Sequence, residues 1–207
     1  DKIYGDINMN ILFYGDSITD AGSYGKENTE LTGYTKYVAE SLGAGNDYIN
    51  RGVGGNRSVN ILGRFYKDIY EIKPDVMVLL AGINDVCYRY IFNVYTDPGT
   101  YYESMKEIIL KTRQAFPHVK IILIEPFLFP KKEVAHWRRD LSDIIEKCRE
   151  LAREYVDSFI PMDGIFAKTL LHEDIKNLTD DGVHPKETAQ RIMAKCVVDE
   201  IKKLYKS

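Results

Sequence analysis

Two kinds of hydrophobic pattern follow one another along this chain. Short apolar runs rich in β-favouring residues predict buried strands, and stretches with an apolar residue every three or four positions predict amphipathic helices. The short runs predict five strands, over 11–14, 48–50, 76–81, 119–124 and 156–161. The periodic stretches predict helices over 32–42, 59–70, 99–116, 137–155 and 185–204. Between the third strand and the third helix, an aromatic-rich segment is predicted as a long loop.

Strands that alternate with helices predict a parallel sheet covered on both faces, because crossovers between parallel strands are right-handed. Five strands in 207 residues predict an α/β fold, a flavodoxin-like three-layer α/β/α sandwich. The strand order 2-1-3-4-5 is assigned by analogy with that fold. No repeat or linker divides the chain, so we expect one domain over 1–207. Because Met9 directly precedes the first strand, residues 1–8 are a candidate N-terminal extension.

Composition narrows the class of protein. A hydrophobic content of 44% and a charged content of 29% are ordinary for a globular protein, and no apolar stretch reaches the length of a membrane span. A net charge of -3 gives no general attraction to nucleic acid. The 3 cysteines cannot all pair within one chain, and their spacing fits no zinc site. They favour a cytoplasmic location, with secretion after removal of a signal peptide as the open alternative.

Small polar residues replace the hydrophobes where the first strand ends, at Gly15-Asp16-Ser17. Ligands bind at the carboxyl ends of strands in open α/β sheets, so Ser17 is a candidate nucleophile. The second and third strands also lead into small polar residues at this edge. Among these, Gly55 leaves a backbone N–H unobstructed and Asn84 carries a side-chain donor, so both are candidates for stabilising an oxyanion. Each residue taken alone also fits an ordinary role in a turn or helix cap.

The candidate base lies near the C-terminus. Of the 4 histidines, only His184 combines a carboxylate three residues earlier, Asp181, with an intervening glycine, Gly182, that permits a turn. Pro185 moves His184 out of the helical region of backbone conformation and suits the start of the last helix. Asp181 is therefore placed to accept the Nδ1–H of His184 and leave Nε2 free to take a proton. The neighbouring Asp180 is an alternative acceptor, and the three-residue spacing favours Asp181.

Several neighbouring residues have alternative roles. We expect Asp16 to fix the turn before Ser17. We expect Arg57 and Arg64 to lie on solvated helix faces, and the alternative is that they bind a charged group of the substrate. Aromatic residues near the carboxyl ends of the strands are candidates for an acyl or sugar pocket, with about half of them expected in core or interface packing. These aromatic residues are Tyr88, Tyr90, Phe92, Tyr95, Phe127, Phe129 and Trp137.

Four motifs follow one another along the chain: Gly15-Asp16-Ser17, Asn50 through Gly55, Gly82-x-Asn84-Asp85 and Asp181-x-x-His184. Together they resemble, in order and across essentially the whole chain, the blocks of the SGNH/GDSL hydrolase superfamily. The resemblance implies an SGNH-hydrolase fold, Ser17 as nucleophile, His184 as base and Asp181 as the residue that orients it. It also implies an oxyanion hole formed by the Ser17 N–H, the Gly55 N–H and the Asn84 side chain. Gly54 is the one-residue alternative to Gly55, and the distance from Asn50 favours Gly55.

The resemblance is greatest to bacterial acyl-esterases and carbohydrate acetylesterases. It implies a serine esterase that hydrolyses short acyl esters, acetyl above all, of carbohydrates or similar small alcohols. No metal or organic cofactor is implied. The expected partner is a small-molecule ester, and a homo-oligomer is left open. Alternatives are an esterase, lysophospholipase or thioesterase acting on lipid or aryl esters, and a flavodoxin-like module that binds a phosphate-bearing ligand at the loop Gly52–Gly55.

Overall fold

Five parallel strands form the sheet, in the order β2-β1-β3-β4-β5. The computed structural model describes residues 8–22 and 31–206. Within them the strands are β1 (Asn10–Gly15), β2 (Asp47–Gly52), β3 (Val76–Leu80), β4 (Lys120–Ile124) and β5 (Ser158–Ile160). The predicted order and fold class are confirmed. Of the candidate extension, residues 1–7 lie outside the described part.

Helices connect and cover the strands. On one face α2 packs against α10, and on the other α6 packs against α3 and α7. This arrangement gives the three predicted layers. In chain order the helices are α1 (Ser17–Asp20), α2 (Gly33–Leu42), α3 (Ser58–Gly63), α4 (Phe65–Ile69), α5 (Ile83–Phe92), α6 (Pro98–Ala115), a 3₁₀ turn (Ala135–Trp137), α7 (Arg138–Tyr155), α8 (Met162–Thr169), α9 (Ile175–Leu178) and α10 (Glu187–Leu204).

Burial follows the position of each strand in the sheet. All five residues of β3 are buried, and so are four of the five in β4, because helices cover both faces of these inner strands. The edge strands β2 and β5 are only partly buried. Burying one large apolar side chain contributes roughly 1.5–3 kcal/mol, so these inner strands hold the sheet that carries the site. None of the helices in the described residues is long and apolar enough to cross a bilayer.

The register of the sheet brings three strand ends to one level. Gly15 at the end of β1 pairs with Gly52 of β2 on one side and with Leu80 of β3 on the other. A Cβ at Gly15 would lie 2.4 Å from the Leu80 carbonyl oxygen, so only glycine fits this close approach. The segments that follow these strands therefore begin side by side.

Three sequence-based assignments were wrong. The aromatic segment after β3 is mostly helix α5 rather than a loop, and it begins directly after Gly82. The single helix predicted over 59–70 is two short helices that meet at Arg64. Helices α1, α8 and α9 were not predicted, because four to eight residues are too short to show a helical period.

Candidate active site

Ser17 begins the short helix α1 directly after β1. The preceding residue, Asp16, caps this helix, and its Oδ1 accepts the Ile18 N–H at 3.0 Å. This is the turn-fixing role that we expected of Asp16. The first N–H groups of a helix have no acceptor within it. The backbone N–H of Ser17 is therefore available to a ligand beside its own hydroxyl.

The glycine-rich loop after β2 forms a tight turn. The Asn56 N–H donates to the Val53 carbonyl at 3.2 Å, with Gly54 and Gly55 between them. Gly55 has a φ of +76°, a conformation that favours glycine at this position of a turn. A Cβ on Gly54 would lie 3.9 Å from the Ser17 Cβ, and a Cβ on Gly55 would lie 3.3 Å from the Tyr88 hydroxyl. The turn thus lies between the candidate nucleophile and helix α5.

Asn84 lies in the first turn of α5 and is 7% exposed. Its Nδ2 donates to the Asn56 carbonyl at 3.1 Å, which joins α5 to the glycine turn. Its Oδ1 lies 3.4 Å from the Cys87 Sγ, one helical turn further along. With both ends of the amide held, the second N–H of Nδ2 has a fixed direction.

The segment 179–185 forms a closed turn that holds Asp181. Asp181 Oδ1 accepts the backbone N–H of Val183 and of His184, each at 2.8 Å. Gly182 has a φ of +89°, and its N–H donates to the hydroxyl of the fully buried Thr179 at 2.9 Å. A Cβ on Gly182 would lie 2.6 Å from Val134, so this turn requires glycine for both conformation and space.

The structure brings Ser17, His184 and Asp181 into one hydrogen-bonded row. Ser17 Oγ lies 3.0 Å from His184 Nε2, although 167 positions separate the two residues in sequence. His184 Nδ1 lies 2.6 Å from Asp181 Oδ2. Burial alone would raise the pKa of Asp181, but the bonds from the imidazole and two backbone N–H groups lower it to about 2. An ionised Asp181 favours the tautomer with the proton on Nδ1, which leaves Nε2 facing Ser17 as an acceptor.

The carboxyl groups of Asp16 and Asp85 lie in the protein interior near this row. Burial raises the pKa of Asp16 to about 7, and its Oδ2 has no partner in the described residues. Burial also raises the pKa of Asp85 to about 6, against the opposing effect of bonds from Ser58. The Ser58 hydroxyl donates to Asp85 Oδ1 at 2.6 Å. Asp85 thereby anchors the start of α3 to the start of α5.

Arg64 is not on a solvated helix face, so the prediction for this residue was wrong. Its guanidinium donates to the carbonyls of Gly15 and Arg51, at 2.8 and 2.9 Å, and to Asn56 Oδ1 at 2.8 Å. It also forms an ion pair with Asp68. The reason is that the break between α3 and α4 turns this side chain toward the ends of β1 and β2.

Arg57 is also partly buried rather than solvated. Its guanidinium lies over the Tyr88 ring, 5.1 Å from the centroid, and donates to Thr96 Oγ1 at 3.3 Å. Its Nε is buried with no partner in the described residues.

The aromatic candidates divide into two groups. Phe127, Phe129 and Trp137 are buried in the core, and Tyr90, Phe92 and Tyr95 are exposed. Tyr88 is partly buried, and its hydroxyl would lie 3.3 Å from a Cβ on Gly55, which places it beside the glycine turn. Sequence reasoning had not separated Tyr88 from the others, although its position four residues after Asn84 places both on one face of a helix.

No cluster of metal-ligating side chains occurs in residues 8–22 and 31–206. The 3 cysteines are free thiols, with Cys148 fully buried and Cys196 partly buried on their helices. The candidate site therefore consists of a serine, an imidazole, a carboxylate and a set of N–H donors. This set of groups suits acyl transfer through an activated hydroxyl.

Comparison with known proteins agrees with this chemistry. The profile of the GDSL-like Lipase/Acylhydrolase family matches residues 13–192. The chain is 31% identical over 208 aligned positions to an acetylxylan esterase from Geobacillus stearothermophilus, with 92% of this chain and 93% of that protein covered.

Solved structures with the same fold include esterases. The crystal structure of Axe2, an acetylxylan esterase from Geobacillus stearothermophilus, has a TM-score of 0.80 at 28% identity and covers 95% of this chain and 96% of its own. Axe2 variants with a serine or an aspartate changed to alanine are described as catalytic mutants. LAE5, an alpha/beta hydrolase from the metagenome of Lake Arreo in Spain, has a TM-score of 0.81 at 25% identity, covering 94% and 96%. The chain belongs to the GDSL-like lipase/acylhydrolase family and is a carboxylic ester hydrolase.

Proposed function

We propose that this protein is a serine esterase that removes short acyl groups, acetyl above all, from carbohydrates or similar small alcohols. The observation that carries the proposal is the continuous row of hydrogen bonds from Ser17 Oγ through His184 to Asp181, at 3.0 and 2.6 Å. Such a row makes a serine hydroxyl nucleophilic at neutral pH, because the imidazole takes its proton as it attacks.

In the first half of the reaction, Ser17 Oγ attacks the ester carbonyl carbon while His184 Nε2 takes the hydroxyl proton. The resulting imidazolium is stabilised by the ionised Asp181. The tetrahedral intermediate collapses when the bond to the alkoxy oxygen breaks and His184 returns the proton to that oxygen. The alcohol leaves, and the acyl group remains bound to Ser17 as an ester.

In the second half, water takes the place of the alcohol. His184 Nε2 removes a proton from the water as the oxygen attacks the acyl carbon, and then returns the proton to Ser17 Oγ as the acid leaves. The side chain of His184 is 54% exposed, which supports direct delivery of water to this imidazole. The net reaction consumes one ester and one water and releases one alcohol and one acid.

Three N–H donors serve as the oxyanion hole in this proposal: the backbone groups of Ser17 and Gly55 and the side chain of Asn84. The helix-start position of Ser17, the positive φ of Gly55 and the two bonds that hold Asn84 support these roles. Donors fixed in advance stabilise the anion without reorganising, and removal of one such donor typically costs about 2.7–4 kcal/mol of transition-state stabilisation.

The acetyl and carbohydrate parts of the proposal come from the relatives. The acetylxylan esterase from Geobacillus stearothermophilus aligns with nearly the whole of this chain, and its name specifies acetyl groups on a polysaccharide. Esters of lipids or aryl alcohols are the competing substrates within the family. Family membership supports an enzyme rather than the phosphate-binding module considered from the sequence.

The test compares acetylated xylo-oligosaccharides with p-nitrophenyl esters of two, four and eight carbons. We expect the purified protein to hydrolyse the acetyl esters, and Ser17→Ala to lose at least about 10⁴-fold in kcat. Ser142→Ala, which removes a hydroxyl from the exposed face of α7, is the matched control and should keep full activity. Turnover of Ser17→Ala within tenfold of the parent protein would disprove the nucleophile. A preference for the eight-carbon ester would disprove the substrate class.

A further inference from the structure

Tyr88 lies against the glycine turn of the candidate site. A Cβ on Gly55 would come within 3.3 Å of the Tyr88 hydroxyl, so the phenol oxygen lies almost in van der Waals contact with this turn. Tyr88 also lies four residues after Asn84 in α5, and side chains four apart share one face of a helix. Asn84 and Tyr88 therefore flank Gly55 from the same helix.

Neighbouring side chains hold the Tyr88 ring in place. The Arg57 guanidinium lies 5.1 Å from the centre of the ring, and the Phe92 ring meets it edge-on at 4.9 Å. Arg57 is itself held by the Thr96 hydroxyl. The Tyr88 ring cannot change rotamer without losing its contacts with both Arg57 and Phe92. It therefore forms a fixed wall at the surface of α5.

The direction of each group on the reacting carbon shows which part of the substrate meets this wall. In the tetrahedral intermediate, the carbon carries Ser17 Oγ, the oxyanion, the alkoxy group and the acyl substituent. The alkoxy oxygen must receive its proton from His184, so the alcohol lies on the side of His184. With the oxyanion directed at the N–H donors, the acyl substituent takes the direction away from His184.

Tyr88 is on that opposite side. The turn that carries His184 packs on the segment between β4 and α7, where the Phe129 N–H donates to the Gly182 carbonyl at 2.9 Å. Tyr90 faces this same segment, and its hydroxyl donates to the His136 carbonyl at 3.3 Å. Residues two apart in a helix point about 200° apart, so Tyr88 faces away from the segment that supports His184.

We propose that Tyr88 is a specificity-determining residue that closes the acyl side of the site and restricts the enzyme to very short acyl groups. This inference rests on the proposed function, and it adds the residue that sets the acyl length. A methyl group beside the oxyanion hole stops short of the phenol oxygen, whereas each further methylene must displace it. One methylene in a fixed pocket changes kcat/KM by about 10–200-fold.

The test measures kcat/KM for p-nitrophenyl acetate, propionate and butyrate in the parent protein and in Tyr88→Phe, Tyr88→Leu and Tyr88→Ala. Tyr88→Phe removes only the atom nearest Gly55, so we expect the propionate-to-acetate ratio to rise about threefold or more. Tyr88→Leu and Tyr88→Ala open the wall further, so the butyrate-to-acetate ratio should rise at least about tenfold. Tyr90→Ala, which removes a tyrosine from the other face of the same helix, is the matched control and should leave both ratios within about twofold.

Two results would overturn the inference. The ratios are compared only in those of Tyr88→Leu and Tyr88→Ala that still unfold in a cooperative thermal transition. The first contradicting result is a butyrate-to-acetate ratio in such a variant that stays within about twofold of the parent value. The other is an equal change in Tyr90→Ala. If Ser17→Ala retains activity, the proposed function fails. If Ser17→Ala is inactive and the chain-length ratios do not move, this inference alone fails.

Discussion

The two halves of the candidate site are built in opposite ways. The half that carries Ser17 lies at the carboxyl ends of buried strands, where Asp16 is 0% exposed and Asn84 is 7% exposed. The half that carries the base lies on a surface turn, where the side chains of Asp181 and His184 are 52% and 54% exposed. One half is therefore positioned by the core, and the other by hydrogen bonds within a few residues of chain.

This difference appears in the charges of the two halves. Burial raises the pKa of Asp16 to about 7, so the core disfavours a negative charge beneath Ser17. On the surface turn, hydrogen bonds to Asp181 overcome the effect of its partial burial and lower its pKa to about 2. Asp181 therefore carries a full negative charge beside the imidazole. The negative charge of Asp16 is disfavoured next to the nucleophile, near where the oxyanion forms.

Removal of the base should have the largest effect on activity and almost none on stability. We expect His184→Ala to lower kcat by at least about 10⁴-fold, because among the described residues His184 is the one hydrogen-bonded to Ser17 Oγ. Since the side chain is half exposed, the free energy of unfolding should change by less than about 1 kcal/mol. Steady-state kinetics and urea unfolding measure the two quantities. The exposed His172, changed to alanine, is the control, and an equal loss of activity there would contradict the assignment.

Loss of a donor from the buried half should cost less. We expect Asn84→Ala to lower kcat by about 10²–10³-fold with little change in KM, because an oxyanion donor acts in the transition state. Kinetics on p-nitrophenyl acetate test this expectation. A rise in KM at unchanged kcat would instead indicate that Asn84 binds the substrate in its ground state.

The two carboxylates should give opposite dependences of stability on pH. Asp16 has a pKa of about 7 in the folded protein against 3.8 as a free group, so the folded state holds its proton between these values and stability falls as pH rises through this window. Between pH 5 and pH 6.5 the contribution of Asp16 to this fall should be about 2 kcal/mol, and Asp16→Asn should remove that contribution. Asp181 has a lowered pKa, so its contribution is complete above pH 3.8 and is lost as pH falls toward 2.

Urea unfolding of Asp16→Asn and the parent protein across pH 4.5 to 7.5 measures the first of these effects. Asp85 remains in both proteins, and its charge is one cause of the raised pKa of Asp16, so the difference between the two curves reports Asp16 together with its electrostatic coupling to Asp85. Parallel curves for the two proteins would show that Asp16 titrates as in the unfolded chain.

The smallest effect on activity is expected from the contact between Cys87 and Asn84. Its Oδ1 lies 3.4 Å from the Cys87 Sγ, within reach of a weak S–H donor. We expect Cys87→Ala to lower kcat about threefold and Cys87→Ser to retain most of the activity, because serine restores a donor. Cys196→Ala, on the far helix α10, is the control. Equal losses in Cys87→Ala and Cys87→Ser would show that the effect comes from packing and not from the hydrogen bond.

Much of the fold was predictable because the inner strands are continuous apolar runs. β3 and β4 are buried on both faces, which their sequences display directly. Helix α5 was not predicted, because its outer part is rich in aromatic residues that stay exposed, Tyr90 and Phe92 among them. Its apolar positions therefore do not form one clear stripe.

The candidate site was predictable from spacing and motif where its contacts are local, as for Asp181 and His184. It was not predictable where one side chain reaches across the fold. Nothing in the sequence indicates that Arg64 turns inward to the Gly15 carbonyl, 49 positions away, or that Tyr88 rather than its aromatic neighbours lies against Gly55. These contacts depend on the break between α3 and α4 and on the rotation of α5, both of which tertiary packing sets.

Arg64 also bears on how such a site can be re-engineered. A single guanidinium binds the end of β1, the end of β2 and the glycine turn, and its charge is matched by Asp68. The two loops that carry Ser17 and Gly55 are thus tied into one mechanical unit. A loop grafted from a homologue without this arginine would bring the side chains of the site but not the hydrogen bonds that set the distance between the two loops. A graft that replaces only one of the two loops would have the same defect.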